Sequence, residues 1–441
     1  MFTAWFRRMR GLSEVGDAVS GSSIRRVYLH IGEPKTGTTF VQDVLWGNWV
    51  RLSSRGVLLP GYSNSDHSLA SRDLRETPRA AGDPAVSWTG DWDVLIRQAL
   101  RCRDRAVISS ELLAAASPQQ AERAVRSLLR AEVHVVATVR DFASALSAEW
   151  QESVKCRGTA PWDEWLADVI TATHAEHRRR ESWFWRVHDT LSVLEMWSRH
   201  IPPDHVHVIT VPRRQSAGVL WERFAAVVGL DAAGFDLSGA RRNSSLGLVE
   251  TEFLRRLNAV LPANVPNWFY SREIKQVLGH GVLSGRSAGS GRSLPALGPG
   301  QREWASEQAD LVIAGLRGAK YEIAGDLAEL IPEAELAPPA AAASDGQLLD
   351  AALGAAVALN GRCFQVMYPD RLPRPHGSAR ELAALLTWRL LNGPRVRRAL
   401  RGASHHAAVR RLRLVIWCVL THPGRPPGSR QAPAGQTDAQ T

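Results

Sequence analysis

The sequence predicts an α/β fold, a three-layer domain around a central parallel sheet of about five strands, followed by a basic helical tail. Three observations predict it. Short apolar, β-branched runs alternate with helical patterns; those runs lack the polar alternation of a half-exposed strand; and one of them enters a helix through a Gly/Thr-rich loop. Strands that are apolar throughout and separated by helices belong to a parallel sheet covered on both faces.

Along the chain, the first strand is Val27 to Ile31, and the helix after its loop carries Val41, Val44, Leu45 and Trp49 near the i, i+3, i+4, i+8 spacing of one face. Val57 to Leu59, Ala106 to Ile108, Val133 to Val139 and Val206 to Val211 supply the other strands. A later helix places Val219, Leu220, Phe224, Val227 and Val228 on its pattern and stops at Gly229. Between them, residues 157–199 form a helical insertion with Trp162, Trp165, Trp183, Trp185 and Trp197. Burial in a core explains such aromatics more simply than a ligand platform does. Residues 1–23 read as a flexible N-terminus, 24–331 as the α/β domain, 332–378 as an Ala/Pro-rich linker and 379–441 as a basic helical tail with a disordered end.

The formal net charge of +10 is concentrated in that tail. From Arg371 onward 13 arginines face only Glu381 and Asp438, a net of +11, which leaves −1 for residues 1–370. A near-neutral core argues against nucleic acid as a partner. Helix-forming runs at Leu382 to Leu391 and Val409 to Leu420, with Trp388 and Trp417, suit an anionic membrane surface or a protein partner; a cap on the chain's own domain would look the same. The four scattered cysteines show no metal spacing and are expected as thiols. No apolar run reaches the roughly 18 residues of a membrane span, and the start lacks the apolar stretch of a secretory signal. The expected location is the cytoplasm, peripherally at a membrane if the tail finds one.

The loop Glu33-Pro34-Lys35-Thr36-Gly37-Thr38-Thr39 carries the chemistry. A strand entering a helix through such a loop aims backbone N–H groups and the positive helix end at one point, where a phosphate or sulfate is stabilised. A Walker A loop ends Gly-Lys-Ser/Thr, whereas here Lys35 precedes Thr36, Gly37, Thr38 and Thr39. A chance Gly/Thr turn with an exposed lysine would lack the flanking strand and helix.

This order resembles the 5′-phosphosulfate loop of the sulfotransferase family, over residues 24 to about 330. The resemblance implies a P-loop-like topology and the donor 3′-phosphoadenosine-5′-phosphosulfate, with no metal. Lys35 would then neutralise the departing oxygen, and Thr36, Gly37, Thr38 and Thr39 would supply donors. In that family an arginine at the end of a later strand and a serine about two turns on hold the 3′-phosphate. Arg140 and Ser147 fit this pattern, with Ser144 the weaker match, although an Arg-Asp pair at a strand end is often a plain ion pair. For the base that deprotonates the acceptor, Glu111 follows the strand Ala106 to Ile108, and His67 follows Val57 to Leu59. The plainer readings are a solvated Glu111 behind a capping Ser110, and a surface-loop His67. Arg241 to Gly247 is placed to close over the donor but departs from the Arg-Lys-Gly element of the cytosolic branch.

The implied activity is sulfuryl transfer to a hydroxyl- or amine-bearing acceptor that the sequence does not name. A P-loop small-molecule kinase would need a magnesium-binding carboxylate after a strand, and none is evident. A non-catalytic interaction protein would act through the tail instead. Gly285-Arg286-Ser287-Ala288-Gly289 spells a hydrolase GxSxG, but in a Gly/Ser/Arg-rich stretch read as a loop without the required strand and helix.

Overall fold

A computed structural model describes residues 24–77, 89–212, 217–240, 246–290, 295–333 and 342–367. The chain divides into two compact units, residues 1–83 with 87–359 and residues 84–86 with 360–441. The first holds the sheet. Of the second, only residues 360–367, the end of a helix, are described. The N-terminus 1–23, the tail 379–441 and the lid segment 241–245 lie outside the described residues.

Six strands run parallel in the order β2-β3-β1-β4-β5-β6. They are β1 Arg26–Gly32, β2 Val57–Leu58, β3 Arg105–Ser109, β4 Glu132–Val139, β5 Val206–Thr210 and β6 Glu322–Ala324. Five match the runs read from the sequence. The sixth is a three-residue edge strand, Glu-Ile-Ala, too short and too polar to show as an apolar run.

The helices of the first unit are α1 Thr38–Gly47, α2 Trp49–Ser54, α3 Asn64–Leu74, α4 Asp91–Ala99, α5 Pro118–Ser127, α6 Phe142–Lys155, α7 Trp162–Ala172, α8 Glu176–Glu181, α9 Trp183–His188, α10 Thr190–Ser198, α11 Ala217–Val227, α12 Leu248–Val260, α13 Ser284–Ser290 and α14 Pro299–Gly318. Neighbouring residues of one strand point to opposite faces. Leu29, Ile31, Ile108, Val135 and Val208 therefore pack against Trp92 and Leu95 of α4, Val125 of α5 and Trp197 of α10. Tyr28, Val107, Val136 and Ile209 face the other way, onto Val44 and Leu45 of α1 and Trp221 and Phe224 of α11. Each such side chain contributes roughly 1.5–3 kcal/mol through burial. A third apolar cluster joins Trp150 and Val154 of α6 to Leu254 of α12 and to Ile274 and Leu278 of a π-helical stretch, Tyr270–Leu283.

Part of the stretch expected as linker is a 23-residue helix, α15 Asp345–Met367, rich in the good helix formers Ala and Leu. The GxSxG sequence is likewise helical, on α13. Ser287 is buried there, donating to Glu250 Oε2 at 2.9 Å and accepting from the Gly247 amide at 2.7 Å, a packing role and not a nucleophile elbow. Cys102, Cys156 and Cys363 are free thiols. Among the described residues, no helix is long and apolar enough to cross a membrane.

The topology fixes where a ligand can bind. From β1 the chain moves out to β2, returns to β3, then crosses to β4 on the other side of β1. A crevice outside the carboxyl ends of the strands opens at such a reversal. The loops after β1, β3 and β4, which carry Lys35, Glu111 and Arg140, all leave the sheet at that edge.

Candidate active site

The loop after β1 is shaped by backbone geometry. Gly32 and Gly37 have φ of +92° and +85°, and a Cβ on Gly37 would come within 2.5 Å of Leu220 Cδ2, so both close packing and conformation demand glycine there. Lys35 adopts φ +62°, a left-handed conformation that costs a non-glycine residue about 1–2 kcal/mol. Its carbonyl accepts from Arg140 Nη1 at 2.9 Å, which holds the strained turn. Thr36 is fully buried and donates to the Glu33 carbonyl at 2.5 Å, so its hydroxyl ties the loop internally. No side chain caps α1, and its first N–H groups keep the positive partial charge of a helix start.

Lys35 does not stand alone. Its Nζ donates to Glu152 Oε2 on α6. Lys275 Nζ, from the π-helical stretch, reaches Glu152 Oε1 at 2.6 Å, and Lys155 Nζ lies 3.2 Å from Oε2. Burial alone would raise the Glu152 pKa, but the three ammonium groups outweigh it and hold the carboxyl far below the usual range. Lys155, the most buried of the three, is pushed down by desolvation and by its lysine neighbours. Three of the four lysines in the chain thus meet at one carboxylate. Sequence reading missed Glu152, Lys155 and Lys275. The scarcity of lysine in a chain rich in arginine could have drawn attention to the two lysines, whereas nothing in the sequence marks Glu152.

Arg140 leaves the end of β4 and meets the loop through Lys35, as above. Ser147 lies on α6, buried, with its Oγ donating to the Ser144 carbonyl at 3.3 Å; the Ser144 amide is taken by Asp141, which caps the helix. The structure therefore joins Lys35 to Arg140 directly and keeps Ser147 on the helix that Arg140 precedes.

The two candidate bases differ in what surrounds them. Glu111 opens a 3₁₀ turn, Glu111–Ala115, against Gly32, whose added Cβ would lie 3.1 Å from the Glu111 Cα. Its Oε2 accepts from Gln42 Nε2 at 3.0 Å, and Gln42 Oε1 in turn accepts from Asn64 Nδ2 at 3.0 Å. His67 is on α3 and buried. Its Nε2 pairs with the Pro60 carbonyl at 2.8 Å, and its Nδ1 accepts the Ser109 amide at 3.1 Å. One neutral tautomer satisfies both contacts, and burial pushes the imidazole pKa down. His67 ties α3 to the end of β3, while Glu111 stands beside the loop.

A second charged group adjoins the loop from below. His188, buried at the end of α9, lies 3.2 Å from Glu33 Oε2 and 3.6 Å from Glu149 Oε2, and Glu33 Oε1 also accepts from Thr190 at 2.5 Å. Burial would lower the His188 pKa, but the two glutamates outweigh it and raise it to about 9. Glu149 also lines a cavity of about 390 Å³ formed by α6, α7 and the segment from Glu181 to Phe184. Of the insertion tryptophans, Trp185 and Trp197 are core, whereas Trp165 and Trp183 line this cavity.

At the amino-terminal edge of the sheet, Glu132, His134 and His205 each bring one ligand atom within 4.8 Å of the others, a group that could hold a metal ion. Arg26 and His134 already share Glu132 Oε1, at 2.8 and 2.9 Å. This cluster lies away from the loop edge.

No protein-family model matches the chain, and no curated protein matches it. Among solved structures it is similar to a sulfotransferase from Alicyclobacillus acidocaldarius, with 18% identity and a TM-score of 0.33, over 49% of this chain and 86% of that one.

Proposed function

We propose that the protein is a sulfotransferase that moves a sulfuryl group from 3′-phosphoadenosine-5′-phosphosulfate to a hydroxyl or amine acceptor. The observation that carries the reading is the convergence of Lys35, Lys155 and Lys275 at the loop edge, where Arg140 also arrives. Three ammonium groups on one carboxylate leave a positive surplus beside an uncapped helix start, a donor set that fits a polyanionic nucleotide.

When bound, the donor supplies an activated sulfuryl group: the acceptor oxygen or nitrogen bonds to sulfur as the sulfur–oxygen bond to the phosphate breaks. The chain's own part is to bind, orient and move a proton. Backbone N–H groups of Gly37, Thr38 and Thr39 would hold the 5′ end, and Arg140 with Ser147 the 3′-phosphate. Lys35 would neutralise charge on the departing oxygen, with Glu152 holding its ammonium between turnovers. Glu111, oriented by Gln42, would accept the acceptor's proton. His67 is less suited, since both of its nitrogens are committed to backbone.

Calorimetry with adenosine 3′,5′-bisphosphate beside ATP and AMP tests the reading. Selective binding of the bisphosphate, weakened in Lys35→Ala and Arg140→Ala, is the expected result. Preference for ATP would replace it with a kinase, and no nucleotide binding by the folded protein would reject it.

A further inference from the structure

We propose that Glu132, His134 and His205 bind one divalent transition-metal ion, zinc in particular, at the amino-terminal edge of the sheet. The site is independent of the sulfuryl-transfer reading, and strand register builds it. β4 begins Glu132-Val133-His134, and the chain enters β5 through His205-Val206-His207. Alternate residues of a strand share a face, so each triplet offers two ligand-type side chains on one side, and β4 and β5 are neighbours. Tyr28 of β1 pairs with His134, and Val136 and Ile209 follow His134 and His207 by two residues. Tyr28, Val136 and Ile209 face α1 and α11, so the group lies on that face, at the end of the strands remote from the loops that carry Lys35, Glu111 and Arg140.

The ligand atoms converge. One from each of Glu132, His134 and His205 lies within 4.8 Å of the others. The His205 ring stacks on His134 with centroids 4.4 Å apart, a contact that engages the ring face and leaves the nitrogens in its plane able to bind. Zinc–nitrogen bonds of about 2.0–2.1 Å set tetrahedral ligands roughly 3.4 Å apart, so closing the site takes no more than about 1.4 Å of movement between side chains. Glu132 and His205 are half-buried, and an ion can reach them from solvent.

The neighbours of these ligands supply a second, independent observation. His134 Nε2 lies 2.9 Å from Glu132 Oε1, and His134 Nδ1 lies 2.9 Å from His207 Nε2. With its proton on Nδ1, donated to His207, the His134 ring presents the Nε2 lone pair on the side of Glu132, and the ion takes the place of the proton that Nε2 and the carboxylate would otherwise share. Arg26 Nε donates to Glu132 Oε1 at 2.8 Å and fixes the carboxylate. Partners of this kind orient metal ligands, so His207 and Arg26 are positioning residues. Two imidazoles and a carboxylate suit zinc and leave a fourth position for water. The ion would tie β4 to the 3₁₀ turn Pro203–His205 that leads into β5.

The test is calorimetric titration of zinc, with magnesium as the comparison, into the untagged and metal-stripped full chain, and of cobalt(II) followed by its visible absorption. One zinc per chain is expected, with no measurable magnesium binding and the strong d–d bands of a four-coordinate cobalt site. Glu132→Gln and His205→Ala, each checked for folding by circular dichroism, should weaken zinc binding by more than about 10-fold and lose those bands. His207→Leu removes an acceptor from His134 but no ligand, so it should weaken zinc by about 10-fold and leave the shape of the cobalt spectrum unchanged, while His207→Gln, which keeps an acceptor, should restore part of the affinity. A folded wild type that binds no zinc, or zinc affinity undiminished in both Glu132→Gln and His205→Ala, overturns the site. Magnesium bound as tightly as zinc overturns the choice of metal, and a cobalt spectrum reshaped by His207→Leu overturns the positioning role of His207 by making it a ligand.

Discussion

Two charged clusters beside the loop are built as opposites. In one, Glu152 is surrounded by Lys35, Lys155 and Lys275; in the other, His188 lies between Glu33 and Glu149. Each central ion is desolvated, and in each the partners outweigh the desolvation, pulling Glu152 down and His188 up. What differs is the surplus. Three cations on one anion leave positive charge for an anionic ligand, whereas two anions on one cation leave negative charge facing the cavity. Glu149, Glu152 and Lys155, three residues apart, lie near one face of α6, so a single helix carries the change of sign within two turns.

Removing Lys35, the lysine that makes the first cluster a loop site, should have the largest consequence. Lys35→Ala should lower sulfuryl transfer by roughly 10²–10³-fold, the scale of losing one oriented charge stabiliser. Turnover that survives in a folded Lys35→Ala protein would show that the lysine surplus is structural only. Glu111→Gln comes next: loss of a general base should slow turnover by about 10²-fold or more, with bisphosphate affinity retained. His67→Gln should instead lower thermal stability, since it removes a buried latch between Pro60 and Ser109. If His67→Gln stayed stable and lost the acidic limb of its pH–rate profile, the two roles would be exchanged.

The second cluster is sharpened by pH. The folded pKa of His188 is about 9, raised from the ordinary 6.5. The stability it contributes is therefore fully present below pH 6.5 and is lost as pH rises through about 9. The shift corresponds to about 3 kcal/mol. Urea unfolding at pH 6, 7.5 and 9 should show this decline in the wild type and a much flatter one in His188→Gln. A wild type with level stability over that range would mean that His188 is neutral, and the contrast between the clusters would disappear.

The sequence made one member of the first cluster legible, together with the neighbouring Arg140, and nothing of the second. Lys35 and Arg140 could be read because they follow apolar strands at fixed offsets, and parallel topology sends such positions to one edge. Five strands showed for the same reason, whereas Glu322–Ala324 pairs only at the edge and has no apolar run to announce it. Glu152 and Lys275 are 123 residues apart, and only packing of α6 against the π-helical stretch unites them. His188 and Glu33 are joined across 155 residues, and each looks like an ordinary surface polar residue in sequence. The insertion tryptophans had to be divided by the fold, because burial and ligand contact favour the same side chain.

The smallest expected effect separates donor binding from lysine packing. Among the described residues Lys275 donates to Glu152 and Cys156, so it adds charge to the first cluster without shaping the loop. Its pKa is raised: desolvation opposes the charge, but Glu152 and Cys156 more than compensate. Lys275→Met keeps most of the aliphatic length and removes one positive charge from a partly exposed site, where such a pair is worth about 1 kcal/mol or less. Bisphosphate affinity should then fall only about 3- to 5-fold, and its salt dependence should become shallower, because one fewer cation contributes to the attraction. An unchanged salt slope would show that Lys275 is spent on Glu152 and that Lys35 with Arg140 binds the anion unaided. A loss as large as that of Lys35→Ala would instead make the three lysines one cooperative unit, and the positive surplus, not the loop lysine, would define the site.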